Sequence, residues 1–497
     1  MNVSRIPRQP KRTALAGGLE IPRIVTGLWQ VADMERGGRP LDRDAGADAL
    51  ADYAQSGFDA FDMADHYGSA ELIAGRLLER PAEEGGSRPK IFTKWVPEPA
   101  AMTAGAVRAG VEERLERLGV DCIDLLQFHW WRFEHPGYID AMIELDRLRR
   151  EGLIAQLGVT NFDTNHLRLL VHHGIPVVSN QVSFSVLDRR AAGEMSAFCV
   201  ENNVRLLAYG SLCGGFLSER WLGRAEPGAG EADDWSKMKY RRFIEAAGGW
   251  RIFQEILGAL ERIGSKHGAS LANVAARWVL DHPAVAAIIV GARLGEREHR
   301  DDNLAVFGLS LDDEDRERIA AAAGEATPLP GDCGDEYRQQ PYLTASGDLS
   351  HHLSGLQVTP PRDSVPGQSG RLNVGSGTGW ERICGYSRAV RVGNRILVSG
   401  TTATHTDGSA ICAEDAAGQA TYALDKIAAS ISSLGGSLTD VVRTRIYITD
   451  ESDWEPVARV HGRYFRRIRP ANTLVTVSSL VGGYLVEIEA EAILPPS

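Results

Sequence analysis

The sequence predicts an α/β fold, a (β/α)8 barrel of the TIM type followed by a smaller α+β domain, and three observations carry that prediction. Eight short apolar runs of buried-strand type alternate with helical patterns over roughly the first three hundred residues. Four polar side chains, Asp62, Tyr67, Lys94 and His129, fall just beyond the ends of three successive runs, where a barrel of this kind carries its active site. After a stretch rich in Gly, Pro and Ser, the pattern changes from Tyr386 onward to alternating strands with two helices. Periodicity alone does not establish closure, so a doubly wound open sheet is the alternative for the first part.

The elements follow in order. RTALAGGLEIPRIVTG reads as a small hairpin leading into a first strand at IVTGLW. FDAFDMA, KIFTK and IDLLQFH are the next three strands, and AQLGVTN, PVVSNQV, VRLLAYG and AAIIVGA complete eight. The helix LDDEDRERIAAAAG closes the barrel, which places a first domain at 1–327. Residues 328–379, with PLPGDCGD, TPPRDSVPGQSG and GSGTG, read as a linker. Its first part, DEYRQQPYLTASGDLSHHL, is too apolar for a free linker and is expected to pack on the barrel, over the substrate opening. Gly375, Gly377 and Gly379 do not follow a strand in the βαβ setting that a dinucleotide loop requires. In the second domain, 380–497, YSRAVRVGNRILVSG is a strand pair, and a helix spans about 414–434. VVRTRIYITD, the helix WEPVARVHGRYF, NTLVTVSSL and YLVEIEAEAIL follow.

Composition narrows the function. At 497 residues and 43% apolar the chain has enough length and apolar content for two cores, and no run spans a bilayer. A net charge of -12 repels phosphate backbones, so nucleic acid and membrane are not expected partners. Six cysteines without Cys-x-x-Cys spacing fit a reducing, cytoplasmic setting and no zinc site. His172-His173 and His351-His352 are read as surface histidines rather than metal ligands.

The four polar residues suit carbonyl reduction. Hydride arriving at a carbonyl carbon leaves negative charge on oxygen, which needs a proton donor and electrostatic stabilisation in one place. Tyr67 is the donor, Lys94 the ammonium that favours its phenolate, Asp62 the partner that keeps Lys94 charged, and His129 the group that aligns the oxygen.

Residues 12 to about 325 resemble the aldo/keto reductase family through FDMADHYGSAE, TKW, FHW, GVTNF, SNQVSF, AYGSLCGGFL and IIVGA. The resemblance implies a nicotinamide-dependent reductase with Asp62, Tyr67, Lys94 and His129 as its tetrad. It further implies that Thr160, Asn161 and Gln181 hold the carboxamide and that Tyr209 stacks on the ring. Gly210 and the segment through Leu217 would contact the cofactor, Cys213 to Leu217 closing over its pyrophosphate within a long lid from Ser211 to about Gly248. Arg293 fits one position used on an adenosine 2'-phosphate, but His299 stands where an arginine four residues before Asn303 is usual. A histidine grips phosphate less firmly than a guanidinium fork, so NADPH is expected with NADH as the alternative. Trp29, Trp130, Trp131 and Phe133 are candidates for lining a pocket for a small-molecule carbonyl substrate.

The second domain resembles the RidA/YjgF family through YSRAV, VGNRILVSG, SLTDVVRTRIYITD, RPANTLVTVSSL and LVEIEA. That resemblance implies a chorismate-mutase-like fold, a homotrimer, and in active members hydrolysis of enamines and imines in clefts between subunits. Asn472 stands where those members carry an arginine for the substrate carboxylate; Tyr386 and Glu487 match the cleft tyrosine and acid. From Arg371 onward Lys plus Arg and Asp plus Glu both number 13, a net charge of 0, and Arg463, Arg466, Arg467 and Arg469 read as a solvated helix end rather than an RNA site. Three functions compete: a carbonyl reductase with a trimerising or imine-handling partner domain, an imine hydrolase with an auxiliary barrel, and a non-catalytic nicotinamide sensor.

Overall fold

A computed structural model describes residues 7–81, 88–228, 230–232, 234–295, 299–338 and 370–495, with 362–364 as backbone. Eight parallel strands close into a barrel: β1 (Ile24–Gly27), β2 (Ala60–Asp62), β3 (Lys90–Trp95), β4 (Ile123–His129), β5 (Ile154–Thr160), β6 (Val177–Ser183), β7 (Arg205–Tyr209) and β8 (Val285–Gly291). Closure comes from Ile288 and Ile289 of β8 pairing with Ile24 and Val25 of β1, which removes the open-sheet alternative. The strands are largely buried because helices cover their outer faces and the barrel interior their inner ones, hence their high content of Val, Ile, Leu and Phe.

The hairpin Arg12–Ala14 with Glu20–Pro22 precedes β1. Its Leu15 and Ile21 pack in one cluster with Val25, Ala60, Phe92, Leu125, Val178, Leu207 and Ala286, the inward layer at the strands' beginnings. The N-terminal end of the barrel is therefore plugged, and a ligand can enter only from the end where the strands finish.

The outer helices include α1 (Arg43–Gln55), α2 (Ala70–Leu78), α3 (Ala104–Leu118), α4 (Gly137–Arg150), α5 (Thr164–His172) and α6 (Glu194–Glu201). The stretch after β7, expected as a long loop, contains α7 (Trp235–Ala246), capped by Asp234, whose side chain accepts from Lys237 N. Its Tyr240, Phe243 and Ile244 are buried, and this apolar stripe is what holds the stretch as a helix. Beyond the final barrel helix, Asp313–Gly324, the chain turns back across the open mouth and Asp335, Glu336 and Tyr337 become buried there. Packing of this segment on the barrel was expected; the rest of that stretch, His351-His352 included, lies outside the described residues.

The second domain is a seven-stranded sheet: β9 (Arg362–Ser364), β10 (Arg371–Val374), β11 (Ala389–Val392), β12 (Arg395–Thr402), β13 (Val441–Ile448), β14 (Ala471–Thr476) and β15 (Val486–Ile493). The spatial order is β9-β10-β11-β12-β15-β13-β14, antiparallel except for β13 with β14. The sheet thus begins upstream of residue 380. Arg371–Val374, read as linker because Gly375, Gly377 and Gly379 follow, pairs with β11 residue for residue. The helices that follow in chain order are Ala416–Ser433 and Trp454–Phe465.

The first of these explains how the domains join. Its sequence, AAGQATYALDKIAASISS, is small or apolar on every side, which marks a helix covered all round. Ala420, Leu424, Ile427 and Ile431 pack on the sheet, while Tyr422, with Ile411 and Cys412, belongs to the barrel's core cluster. Arg168 and His172 of α5 bind Asp415 at 3.1 and 2.6 Å, and Cys412 N approaches His173 Nδ1 at 3.4 Å. His172, exposed as expected, and the half-buried His173 therefore border the domain seam.

Candidate active site

Lys94, near the end of β3, is buried, and its Nζ donates to Asp62 Oδ2 at 2.6 Å and to the Met63 carbonyl at 3.0 Å. Gln127 Nε2 and Gln181 Nε2 donate to Asp62 Oδ1 at 2.9 and 2.7 Å, so both carboxylate oxygens are fixed. Gln127 lies two positions inside the end of β4 and carried no signal beyond its apolar neighbours. The Lys94 ammonium stands 5.4 Å from the Tyr67 ring centroid. Trp29 meets the same ring edge-on at 5.0 Å and is held by Nε1 donating to Glu35 Oε1 at 2.6 Å.

Burial pushes the Tyr67 phenol well above its ordinary range, and the Asp62 carboxylate adds to the shift. Lys94 was expected to draw that phenol down. Burial, with Asp62, outweighs any such pull. Burial likewise drives His129 well below the usual imidazole range, reinforced by the positive charge of Arg338. His129 Nδ1 accepts from Trp131 Nε1 at 3.3 Å, which puts the proton of the neutral ring on Nε2. That nitrogen lies 3.4 Å from Asn161 Nδ2.

Asn161 sits just past β5 at φ 57°, a left-handed conformation that asparagine tolerates. Beside it the Thr160 hydroxyl oxygen is buried without a hydrogen-bond partner, an atom that waits for a ligand group or water. Tyr209 Oη donates to Asn161 Oδ1 and meets Glu336 Oε1, each at 2.9 Å. Gly210 follows at φ 69°, and a Cβ there would lie 2.0 Å from Tyr240 Oη. Cys213, Phe216 and Leu217 are wholly buried and form the base of the stretch after β7.

Four residues that sequence reasoning missed complete the mouth. Lys239 Nζ donates to Tyr337 Oη at 2.8 Å and Tyr209 Oη at 3.2 Å, and lies 4.7 Å over the Tyr209 ring. Glu336 is fully buried between Arg190, at 2.9 Å, and Lys239, at 3.7 Å. Burial raises its carboxyl, but Arg190 and then Lys239 outweigh that and hold it down at about 2. Tyr337 packs on Trp131 at 5.3 Å and edge-on against His129 at 5.6 Å. Arg338 donates to the Trp130 and Trp131 carbonyls at 2.7 and 3.2 Å. The available signal was DEYR, a charged and aromatic tetrapeptide within a stretch that otherwise reads as linker. Gly334 is obligatory for this approach: at φ 83° a Cβ would lie 2.1 Å from the Asn161 carbonyl oxygen.

Other expected residues lie farther out. Trp130 is fully buried, stacked on Phe128 at 5.6 Å with Nε1 on the Arg132 and His135 carbonyls, so it is core and not pocket wall. Phe133 stacks on His166 at 3.5 Å, away from the mouth. Arg293 is half exposed, 3.8 Å from Asp234 Oδ2, and His299 is exposed, its carbonyl accepting from Asn303 N at 2.8 Å. In the second domain Tyr386 Oη accepts from Arg388 at 3.1 Å, and Asn472 Nδ2 donates to Thr444 Oγ1 at 2.9 Å. Burial and Glu489 raise the Glu487 carboxyl, opposed by Arg388. Arg463 is not part of a surface patch, since it pairs with Asp335 at 2.6 Å across the seam. Among the described residues His267, Asp312 and Asp315 are spaced for a metal, but Lys266 Nζ already binds both aspartates at 2.7 and 2.9 Å.

Comparison with known proteins agrees with this architecture. The model of the Aldo/keto reductase family matches residues 23–323, and that of Endoribonuclease L-PSP matches residues 380–494. The chain is 30% identical over 311 residues to 6-dehydroglucose reductase of Agrobacterium fabrum, covering 58% of this chain and 90% of that one. It is 23% identical over 320 residues to the NADH-specific methylglyoxal reductase of Escherichia coli, with 60% and 93% covered. A solved YjgF/YER057c/UK114 family protein from Mycobacterium tuberculosis is 44% identical over 25% of this chain and 99% of its own, with a TM-score of 0.23. The barrel and these relatives make the protein an oxidoreductase. The chain belongs to the aldo/keto reductase family, with a RidA/YjgF-type domain at its C-terminal end. No helix among the described residues is long and apolar enough to cross a membrane.

Proposed function

We propose that the protein reduces an aldehyde or ketone with a nicotinamide cofactor, Tyr67 donating the proton. The observation that carries this reading is the closed set Lys94–Asp62–Gln127–Gln181 beside a buried phenol, with the neutral imidazole of His129 in the same mouth. A bound nicotinamide supplies the hydride. The residues fit its carboxamide: Thr160 offers an unpartnered hydroxyl, and Asn161 and Gln181 offer amides on adjacent strand ends. His129 Nε2 donates to the substrate oxygen and orients it. Tyr67, kept protonated by burial, passes its proton to that oxygen as charge develops. Lys94, held charged by Asp62, stabilises the phenolate left behind. Trp131 and Tyr337 exclude water on the His129 side. Tyr209 stacks against the nicotinamide ring only if Lys239 leaves the ring face it covers.

NADPH is the expected cofactor and NADH the alternative. Arg293 is free enough to meet a 2'-phosphate, but Asp234 competes for it. The relatives include a reductase described as NADH-specific, so Michaelis constants for both cofactors decide. The test of the reaction is NADPH oxidation against a panel of aromatic, aliphatic and sugar-derived carbonyls with Tyr67→Phe alongside. Turnover that survives the substitution unchanged sinks the assigned donor.

The second domain trimerises the enzyme on this reading. Its sheet carries helices on one face; Leu397 and Ile493, which share the other face by register, are exposed. Mass photometry reads the oligomeric state, and a monomer at micromolar concentration removes the proposal. Imine hydrolysis is the second reading, in which Tyr386 and Glu487 serve the cleft, but Asn472 offers an amide where a guanidinium grips a carboxylate.

A further inference from the structure

A cleft of about 230 Å³ lies between the domains, away from the barrel mouth. The start of α4 supplies His135, Pro136, Gly137 and Asp140 to it, and the second domain supplies Arg388, Tyr422 and Lys426 with several hydroxyls. Tyr386, Asn472 and Glu487 do not line it. Its volume equals that of about eight water molecules at ~30 Å³ each, enough for a small organic molecule.

The cleft has a donor to spare. Lys426 Nζ donates to the Thr404 and Thr402 carbonyls at 2.7 and 3.2 Å, which leaves the third of its three ammonium protons for the cleft. Arg388 is buried, with NH1 on Gly400 O and Thr401 Oγ1 and NH2 on Tyr386 Oη. Its Nε has no hydrogen-bond acceptor; the nearest carboxylate, Glu381, is 4.0 Å away. Glu381 is itself engaged by Ser376, and Asp140 is engaged by His405 at 2.8 Å. Lys426 therefore brings a spare donor to the cleft, and the buried Arg388 guanidinium, 4.0 Å from Glu381, adds positive charge beside it. Tyr422, Pro136, Ala101 and Ala429 give it an apolar wall.

We propose that this interdomain cleft binds a small organic carboxylate, an oxygen taken by Lys426 Nζ and its apolar body laid against Tyr422, with the Arg388 charge adding to the attraction. The site exists only where the two domains meet, so neither domain alone forms it.

Desolvation, and then the nearby Arg388 charge, lower the Lys426 amine to about 7, with Glu381 opposing. His135 and Asp140 from α4, His405 and Tyr422 also face this region. An anion favours the ammonium form, so binding takes up a proton near neutrality and strengthens as pH falls from 8 to 6.

The experiment is calorimetry on the full chain with benzoate as probe and benzamide as its neutral isostere. We expect saturable benzoate binding with proton uptake at pH 7.5, and no benzamide binding. Lys426→Met should weaken benzoate at least about tenfold, since it removes a charge-assisted bond. Lys426→Arg should retain binding but lose most of the pH dependence, and it serves where the Met variant does not fold. Equal affinity for benzamide, no saturable binding, or an undiminished Lys426→Met variant overturns the proposal. The last of these places benzoate in the catalytic mouth, which Lys426 does not touch.

Discussion

Two buried polar clusters, one in the barrel mouth and one in the domain seam, use similar residues to opposite ends. In the seam His166 is clamped between Asp163, Nδ1 to Oδ2 2.8 Å, and Asp425, Nε2 to Oδ2 3.1 Å. Asp425 also accepts from Tyr138 at 2.8 Å and Tyr464 at 2.7 Å. Both His166 nitrogens and both Asp425 oxygens are bonded to partners within the cluster. In the mouth, Asp62 and Lys94 are as tightly fixed, but the Thr160 hydroxyl lacks a partner and His129 Nε2 keeps only a long contact. The seam cluster is a clamp and the mouth cluster a reaction site because of what is left unsatisfied, not because of which residues are present.

The largest effect should come from the mouth. Tyr67→Phe removes the proposed proton donor while leaving Asp62, Lys94 and both glutamines bonded as they are. We expect kcat to fall about 10²–10⁴-fold, with cofactor affinity unchanged by fluorescence titration. A comparable fall in cofactor affinity would mean the ring is structural. The seam comes next. Asp425→Ala strips three partners at once and leaves the His166 cation with only Asp163, which should cost about 3–5 kcal/mol in urea unfolding. A loss within the range of a surface substitution would show that the seam does not clamp the domains.

Much of this contrast was legible in the sequence, and the parts that were not share a cause. All eight barrel strands and the tetrad follow from apolar runs that end in polar residues, because a strand terminus fixes where its next side chain points. The helix over residues 416–433 was also expected, at about 414–434. What stayed hidden arises from contacts between distant segments: the partners that Glu336 and Tyr337 of the segment expected over the opening would find, Asp425 meeting His166 and Arg463 meeting Asp335. Local periodicity says nothing of such pairs. It also misread Arg371–Val374, since a four-residue strand flanked by glycines reads as linker.

The seam cluster also predicts a pH dependence. Burial opposes a charged His166, but Asp163 and Asp425 outweigh it and raise its imidazole to about 9. Arg463, Tyr138 and Tyr464 are the other polar groups around it. The folded state thus holds a proton that the unfolded state releases near its ordinary 6.5. This stabilisation is fully present below that value and is lost as pH rises through about 9, on the order of 3 kcal/mol at most. Unfolding midpoints at pH 6, 7.5 and 9 should fall more steeply for the parent than for His166→Gln. Parallel curves would mean that His166 is neutral and Asp425 carries the proton instead.

The smallest predicted effect tests the point where the two clusters touch. Asp335 is held by Arg463 from the second domain, while Tyr337, two residues on, packs on His129 and Trp131. As a wall of the substrate pocket, Tyr337 contributes apolar contact and dryness, its hydroxyl accepting from Lys239. Tyr337→Ala should then raise KM for a good carbonyl substrate about tenfold, in line with the ~1.5–3 kcal/mol scale for burying a large apolar side chain. The maximal rate should change little, and the alkaline limb of the rate profile should move to lower pH, because water admitted beside Tyr67 relieves the desolvation that raises its phenol. A fall in KM would carry the opposite meaning: Tyr337 would be a competitor for the space beside His129, and its release through Arg463 and Asp335 would make the second domain a regulator of the first.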